Sequence, residues 1–173
     1  KKIEEEVTSK TGVNQGVPIN FYKQFLNGLP VLVSKKNPTT ADDYLAQAKS
    51  SHFKKGREQT VIRLINEALK LKEDYPDAYF IRGHAYHELG YQNRAIADYT
   101  IGLEINPRDG GAYNNRGVVK YVSKDFLGAI ADFNKALEIN PRDGILYSNR
   151  GSSKVGLKDF LGAIADFSKA IEI

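Results

Sequence analysis

The apolar positions of this chain repeat with one fixed period, which is the step from Lys124 to Lys158. The segments Lys124–Ile139 and Lys158–Ile173 lie one period apart and differ only at Asn134/Ser168 and Leu137/Ile171. Within each period the pattern predicts two helices separated by a short polar turn. A fixed period of this length is typical of a solenoid, whose units bury their apolar faces against their neighbours. The predicted fold class is therefore all-α, a solenoid of antiparallel helical hairpins.

The period divides the chain into an N-terminal extension and four units. The predicted boundaries are 1–41 for an extension with a loop and one short helix that caps the solenoid, 42–75 for a degenerate unit, 76–109 and 110–143 for two full units, and 144–173 for a unit that is incomplete at its C-terminal end. The helices are predicted near 41–54, 58–72, 77–89, 93–105, 111–123, 126–139, 145–156 and 160–173. Asp125 and Asp159 precede second helices and are expected to cap them.

The C-terminal edge of the last unit is expected to be covered. Leu161, Ile164 and Phe167 are assigned to a face that the earlier units bury against the next hairpin. Because solenoids need polar ends, we expect another copy of the chain, or residues outside this sequence, to cover that face. A homo-oligomer formed through this edge is one such outcome.

The repeated residues resemble the tetratricopeptide repeat. The matching positions are a first aromatic at Tyr79, Tyr113 and Tyr147, a glycine at Gly83, Gly117 and Gly151, an alanine at Ala95, Ala129 and Ala163, a second aromatic at Tyr99, Phe133 and Phe167, and a proline at Pro107 and Pro141. The clear resemblance covers 76–173, and the amino-acid sequence there is similar to that of bacterial, often cyanobacterial, members. It implies a right-handed superhelix that acts as a protein-interaction module.

In that family the first helix of each unit lines a concave wall on which extended peptides lie. By register, the candidate peptide-binding residues here are Phe53, Phe80, His84, His87, Asn114, Val118, Tyr121, Ser148 and Ser152. Aromatic groups supply much of the binding energy at such surfaces. The alternative is that Phe53 and Tyr121 pack between neighbouring units. Members that hold acidic chaperone tails use lysine, arginine and asparagine at several of these positions. This chain offers Asn114 but no lysine or arginine among them, so that role is not expected.

The chain departs from the family pattern at the position before the conserved glycine. Arginine replaces leucine there in three units, and each such unit also has an aspartate at one fixed offset from the arginine; the pairs are Arg82 with Asp98, Arg116 with Asp132 and Arg150 with Asp166. The degenerate unit has Ala48 and Leu64 instead. This joint occurrence predicts structural ion pairs between the two helices of a hairpin. The alternative is a row of arginines for an anionic ligand.

The charge is unevenly distributed along the chain. Residues 1–75 contain 13 Lys or Arg and 9 Asp or Glu, whereas residues 76–173 contain 12 of each. The excess lies around a basic cluster of Lys49, Lys54, Lys55 and Arg57. Nucleic-acid binding usually needs a continuous basic stripe, so a solvated face is the preferred interpretation and nucleic-acid binding the lesser alternative.

No catalytic motif occurs in the sequence, and we expect neither an enzyme nor a cofactor. His84 and His87 have a spacing that metal ligands can use, but the nearest further ligand is Glu88, so no metal is expected. A second functional alternative is a regulatory or assembly domain of a larger polypeptide, such as an enzyme whose catalytic part lies outside these residues. The absence of cysteine leaves the redox compartment open, and the cytoplasm is favoured.

Overall fold

The structure, a computed structural model, describes residues 37–52 and 56–173. These residues form eight helices and no strand. In chain order they are α1 (Ala41–His52), α2 (Glu58–Leu71), α3 (Pro76–Glu88), α4 (Gln92–Ile105), α5 (Gly110–Val122), α6 (Phe126–Ile139), α7 (Gly144–Gly156) and α8 (Phe160–Glu172). The all-α prediction is confirmed, and each helix end lies within two residues of its predicted position. The cap predicted at 1–41 lies almost entirely outside the described residues.

Each hairpin turns through one residue with a left-handed backbone. The four positions are Gly56, Gly90, Lys124 and Lys158, with φ of +80°, +78°, +64° and +64°. They are spaced one period apart, so the turn geometry is the same throughout the array. Glycine adopts this conformation without steric cost, whereas the two lysines carry backbone strain.

The residue after each of the two lysine turns caps the next helix, as predicted. The Asp125 carboxylate accepts a hydrogen bond from the Gly128 backbone N–H at 3.0 Å, and Asp159 accepts from Gly162 at 3.0 Å. These bonds satisfy amide groups that the first turn of a helix leaves without a partner. Aspartates also cap the first helices of the last two hairpins, namely Asp109 on α5 and Asp143 on α7.

Small residues let the two helices of a hairpin approach closely. In the third hairpin the Phe133 ring lies over Gly117, where a Cβ atom would come within 2.7 Å of the ring. Ala129 is fully buried one turn away on the same helix as Phe133.

The first hairpin, which lacks the arginine and aspartate, fills the corresponding space with Ala48 and Leu64, both buried. Apolar burial therefore replaces the ion pair in that unit.

The helices form two layers. Each helix packs against its neighbours in sequence, and each first helix also contacts the first helix of the next hairpin, through α1 with α3, α3 with α5 and α5 with α7. Among the described helices, no comparable contact joins one second helix to the next. The first helices therefore form the inner layer of the solenoid, which we call the inner wall. No described helix has the length and apolar character needed to cross a membrane.

Candidate functional site

Side chains of neighbouring first helices touch at two of the three steps along the inner wall. On the N-terminal half, the rings of His52 on α1 and His84 on α3 meet edge to face with their centroids 4.5 Å apart. On the C-terminal half, the Asn149 side chain on α7 donates a hydrogen bond to Asn114 Oδ1 on α5 at 2.9 Å. In this bond Asn114 contributes its acceptor, Oδ1, so the Nδ2 group of Asn114 stays available as a donor.

Tyr121 is the most exposed aromatic residue among those predicted for the wall and described in the structure. Its ring lies 5.7 Å from that of Phe126, tilted by 58°, and the side chain stays exposed. Val118 lies one turn earlier on the same helix and is half-buried. On α7, the Ser152 hydroxyl donates to the Ser148 carbonyl at 3.0 Å, and both serines are half-buried. The wall therefore offers one broad aromatic face among small polar groups.

Phe80 corrects the predicted peptide-binding set. Its ring lies against Gly102 of α4, where a Cβ atom would come within 2.3 Å of the ring, and it stacks on Tyr99 with centroids 6.5 Å apart. The ring thus packs between the two helices of its own hairpin, so its main role is in the core and we remove it from the binding surface. Phe53 lies outside the described residues.

The histidines of the wall are half-buried. Burial is the main cause that lowers the pKa of His52 and of His84, and Glu88 opposes the shift in both cases. His84 lowers the pKa of His52 further, and His87 does the same to His84. The Nδ1 atoms of His84 and His87 are buried, and neither has a hydrogen-bond partner among the described residues. No group of three or more potential metal ligands occurs in the described part of the chain.

The structure places each arginine of the pattern against its aspartate. In the third hairpin, Arg116 Nε donates to Asp132 Oδ2 at 2.9 Å and Arg116 Nη2 donates to Asp132 Oδ1 at 2.7 Å. Arg82 with Asp98 and Arg150 with Asp166 form the same two-bond geometry. All three aspartates are buried. Bidentate pairing of this kind fixes both the distance and the angle between the two helices.

Two lysines join these pairs, a role that the sequence reasoning missed. Lys120 Nζ lies 2.8 Å from Asp132 Oδ2, and Lys154 Nζ lies 2.8 Å from Asp166 Oδ2. Burial alone would raise the pKa of Asp166, but its hydrogen bonds from Arg150 and Lys154 outweigh burial and lower it. The sequence contains a signal for this role, because a lysine stands one helical turn after the arginine in both units.

The third arm of each arginine reaches the preceding hairpin. Arg82 Nη1 donates to Asn66 Oδ1 at 2.6 Å, Arg116 Nη1 to Thr100 Oγ1 at 2.9 Å and Arg150 Nη1 to Asn134 Oδ1 at 2.7 Å. We call these three arginines with their acceptors the arginine ladder. Sequence reasoning missed the acceptors, although they also recur once in every period. Because the guanidinium groups bind partners within the protein, the ladder does not favour the interpretation of the arginines as an anion site.

The basic cluster falls partly outside the described residues. Lys54 and Lys55 are not described, Lys49 forms a 2.9 Å ion pair with Asp77, and Arg57 is exposed. One ion-paired lysine and one exposed arginine do not by themselves make the continuous basic stripe that phosphate binding needs.

Comparison with family models and known proteins identifies the repeat. Residues 76–109 and 111–143 each match a model of the tetratricopeptide repeat. The chain is a tetratricopeptide repeat protein. It is therefore a protein-interaction module, and the matched segments contain the second and third hairpins with two of the three ladder arginines. No curated protein matches the chain.

Solved structures of MamA share the fold of this tetratricopeptide repeat protein. One, described as the crystal structure of MamA, is 22% identical with a TM-score of 0.74 and covers 87% of this chain and 83% of its own. Another, MamA 41-end from Desulfovibrio magneticus RS-1, is 20% identical with a TM-score of 0.71 and covers 76% of this chain and 74% of its own. At this level of identity the similarity extends to the fold alone.

Proposed function

We propose that the inner wall binds an extended segment of a protein partner, of mostly apolar or neutral character. The observation that carries the proposal is the exposed ring of Tyr121 on a wall whose neighbouring helices are tied by the Asn114 and Asn149 amides. An exposed aromatic ring on a rigid support is the kind of group that dominates binding energy at protein interfaces. The Asn114 Nδ2 group supplies a donor for a peptide carbonyl beside it.

The remaining residues of the proposed site surround this centre. They are His84 and His87 on α3, Val118 on α5, and Ser148 and Ser152 on α7. None of them is a lysine or an arginine, which is why we propose a neutral rather than an acidic peptide. We also propose that the module is not catalytic. Its role within a larger polypeptide, as a regulatory or assembly domain, is the second candidate, since a wall of this kind would serve it equally.

Selection from a random peptide library on the whole chain tests the proposal. Peptides enriched on the wild-type protein are titrated against Tyr121→Ala and against Leu127→Ala, which removes an exposed leucine of α6, a second helix. We expect Tyr121→Ala to weaken binding by about 1–2 kcal/mol without lowering the melting temperature, and Leu127→Ala to leave binding unchanged. Enriched peptides that bind Tyr121→Ala at full strength would refute the proposed site.

Salt dependence separates this proposal from nucleic-acid binding. Peptide binding to a neutral wall releases few counterions, so its affinity is expected to change little between low and high salt. Binding to phosphates through the basic cluster would instead weaken steeply as salt rises. Titrating a single-stranded oligonucleotide in parallel with an enriched peptide compares the two directly.

A further inference from the structure

Exposed apolar side chains lie beside the turns of the third and fourth hairpins. In the third hairpin, Val122 ends α5 and is 51% exposed, and Leu127 lies in the first turn of α6 and is 70% exposed. In the fourth hairpin, Leu157 follows α7 and Leu161 lies in the first turn of α8, and they are 41% and 83% exposed. The two turns are one period apart, so these side chains lie along one edge of the array. We call this edge, formed by Val122, Lys124, Leu127, Leu157, Lys158 and Leu161, the turn edge.

The exposure of the turn edge does not depend on a following hairpin. Val122 and Leu127 are exposed although α7 and α8 follow them and α7 packs on α6. Leu161 is the equivalent of Leu127 one period later, so a further hairpin stacked in the same way would leave it exposed as well. The sequence-based assignment of Leu161 to a face that the next hairpin buries is therefore wrong.

Each of the two turns also presents a lysine, at a cost in backbone strain. Lys124 and Lys158 both have a φ of +64°, and both are exposed. Neither side chain forms an ion pair or a hydrogen bond within the described part of the chain. The carboxylates next to them, Asp125 and Asp159, accept hydrogen bonds from helix amides instead. Backbone strain of this kind concentrates at functional sites.

The lysine and the leucine occur together along the repeat. The third and fourth hairpins have both, whereas the first and second have glycine at the turn and the exposed polar residues Gln59 and Asn93 at the leucine position. The packing of the array requires neither an exposed leucine nor a strained lysine. Their joint occurrence therefore indicates one contact outside the chain that uses both, and contiguous exposed apolar groups mark such contacts.

The chemistry of the turn edge fits the surface of an anionic bilayer. The leucines protrude beside turns, so they can enter the boundary of the acyl chains while the lysine ammonium groups stay at the lipid phosphates. A bilayer surface attracts cations through its diffuse negative charge, so separate lysines are effective there without the continuous basic stripe that nucleic acid needs. Side chains that dominate protein interfaces, by contrast, fill well-packed pockets.

We propose that the turn edge docks the module on the surface of a membrane that contains anionic lipids. Leu127 and Leu161 insert at the headgroup boundary, and Lys124 and Lys158 lie against lipid phosphates. An apolar and a cationic signal together are what stable but reversible membrane attachment requires. The turn edge shares no residue with the proposed peptide site, so membrane docking and peptide binding stand or fall separately.

Sedimentation of the whole chain with vesicles tests the proposal. We expect binding to vesicles of phosphatidylglycerol and phosphatidylcholine that weakens as salt rises, and little binding to phosphatidylcholine alone. The double variant Leu127→Asp/Leu161→Asp is expected to weaken binding by about tenfold or more. The matched control is Leu71→Asp, which changes a leucine that is 57% exposed at the opposite edge, beside Glu73 and Asp74. It is expected to change binding less than about twofold.

A second pair of variants tests the lysines at constant net charge. Lys124→Gln/Lys158→Gln is expected to weaken binding to the anionic vesicles about tenfold. Lys135→Gln/Lys169→Gln removes the same charge from α6 and α8, where these lysines pair with Glu138 and Glu172. This control is expected to weaken binding less than about threefold, because its lysines lie away from the turn edge.

A fluorescent probe locates the membrane contact directly. The chain has no cysteine, so Leu127→Cys and Leu71→Cys each provide a single attachment site for an environment-sensitive dye such as NBD. We expect anionic vesicles to shift the emission of the dye to the blue at position 127 and to leave it unchanged at position 71. Circular dichroism of every variant checks that the substitutions leave the array folded.

Three results would overturn the proposal. The first is the absence of binding to anionic vesicles. The second is binding that the leucine and lysine variants of the turn edge leave intact or that their controls weaken equally, or a dye at position 127 that responds no more than the dye at position 71. The third is a discrete protein captured from native lysate by a crosslinker at position 127, because the occupant of the turn edge would then be a protein.

Discussion

Phe80 and Gly102 form a matched pair across the second hairpin. The Phe80 ring occupies the space that a side chain at position 102 would need, with only 2.3 Å between the ring and a Cβ atom placed there. The third and fourth hairpins have smaller residues than Phe80 at the equivalent position of the first helix, namely Asn114 and Ser148. At the position equivalent to Gly102 they have alanine, Ala136 and Ala170. A large residue on the first helix therefore goes with glycine on the second.

This pairing predicts that the effect of Gly102→Ala depends on residue 80. In the wild-type protein the added methyl group overpacks the interface, at a cost of about 1–3 kcal/mol that outweighs the gain of up to ~1 kcal/mol in helix propensity. In a Phe80→Asn background the same change is expected to stabilise the protein. Urea unfolding of the four variants in a double-mutant cycle measures the coupling. Equal effects of Gly102→Ala in both backgrounds would show that the two residues do not compete for space.

The ion pairs are expected to differ in their sensitivity to loss of the arginine. Removing one partner of a buried pair costs about 3–5 kcal/mol because a charge stays buried without compensation. In the third hairpin Lys120 still compensates Asp132 after Arg116→Ala, whereas Tyr86 occupies the lysine position in the second hairpin and leaves Asp98 uncompensated.

We therefore expect Arg82→Ala to lower the free energy of unfolding by the larger amount, and Arg116→Ala by clearly less. Chemical denaturation of both variants makes the comparison. Replacing Arg116 and Asp132 together with Ala and Leu, the residues of the first hairpin, is expected to cost much less than Arg116→Ala alone, because no uncompensated aspartate charge then stays buried. Equal costs for Arg82→Ala and Arg116→Ala would mean that Lys120 contributes nothing at that position.

The lysine turns offer a stabilising substitution. Lys158 has a φ of +64°, a conformation that costs a residue with a side chain roughly 1 kcal/mol more than it costs glycine. Lys158→Gly is therefore expected to raise the free energy of unfolding by about 0.5–1 kcal/mol. Lys169→Gly, at an exposed position within α8, is the matched control and is expected to destabilise by about 1 kcal/mol. A destabilising Lys158→Gly would indicate that its side chain contributes more than its backbone costs.

Mild acid is expected to weaken the N-terminal half of the inner wall. Burial lowers the pKa of His52 and His84 below the ordinary value of 6.5, so the unfolded chain binds protons more readily than the folded one. The stabilisation from the two neutral rings is complete above about pH 6.5 and is lost as the pH falls through their lowered folded values. Glu88 opposes the loss, and His87 lies on the same helix.

Unfolding of the wild type and of a His52→Gln/His84→Gln variant at about pH 7.5 and about pH 5.5 measures this effect. The wild type is expected to lose stability between the two values, and the variant to lose less, because carboxylates titrate mainly below this window. Identical losses in both proteins would assign the pH dependence to other groups.

The repeat period was sufficient to predict the eight helices and the intra-hairpin ion pairs, because one register places each arginine of a first helix against the aspartate of the second helix. It was not sufficient for Phe80, since register assigns a residue to a helix face but does not show that Gly102 opens a space for its ring. Asn66, Thr100 and Asn134 share no single residue type, so their common role became visible only when the third arm of each arginine was seen to reach them.

Site-specific photocrosslinking is the most direct test of the central claim that the inner wall binds a partner. A benzophenone amino acid is placed at Tyr121 in one variant of the whole chain and at Leu127, on a second helix, in the other, and both are irradiated in native lysate. We predict a discrete crosslinked protein from position 121 and none from position 127, with an extended segment of the partner carrying the crosslink. A discrete crosslinked protein from position 127 and none from position 121 would contradict binding at the inner wall.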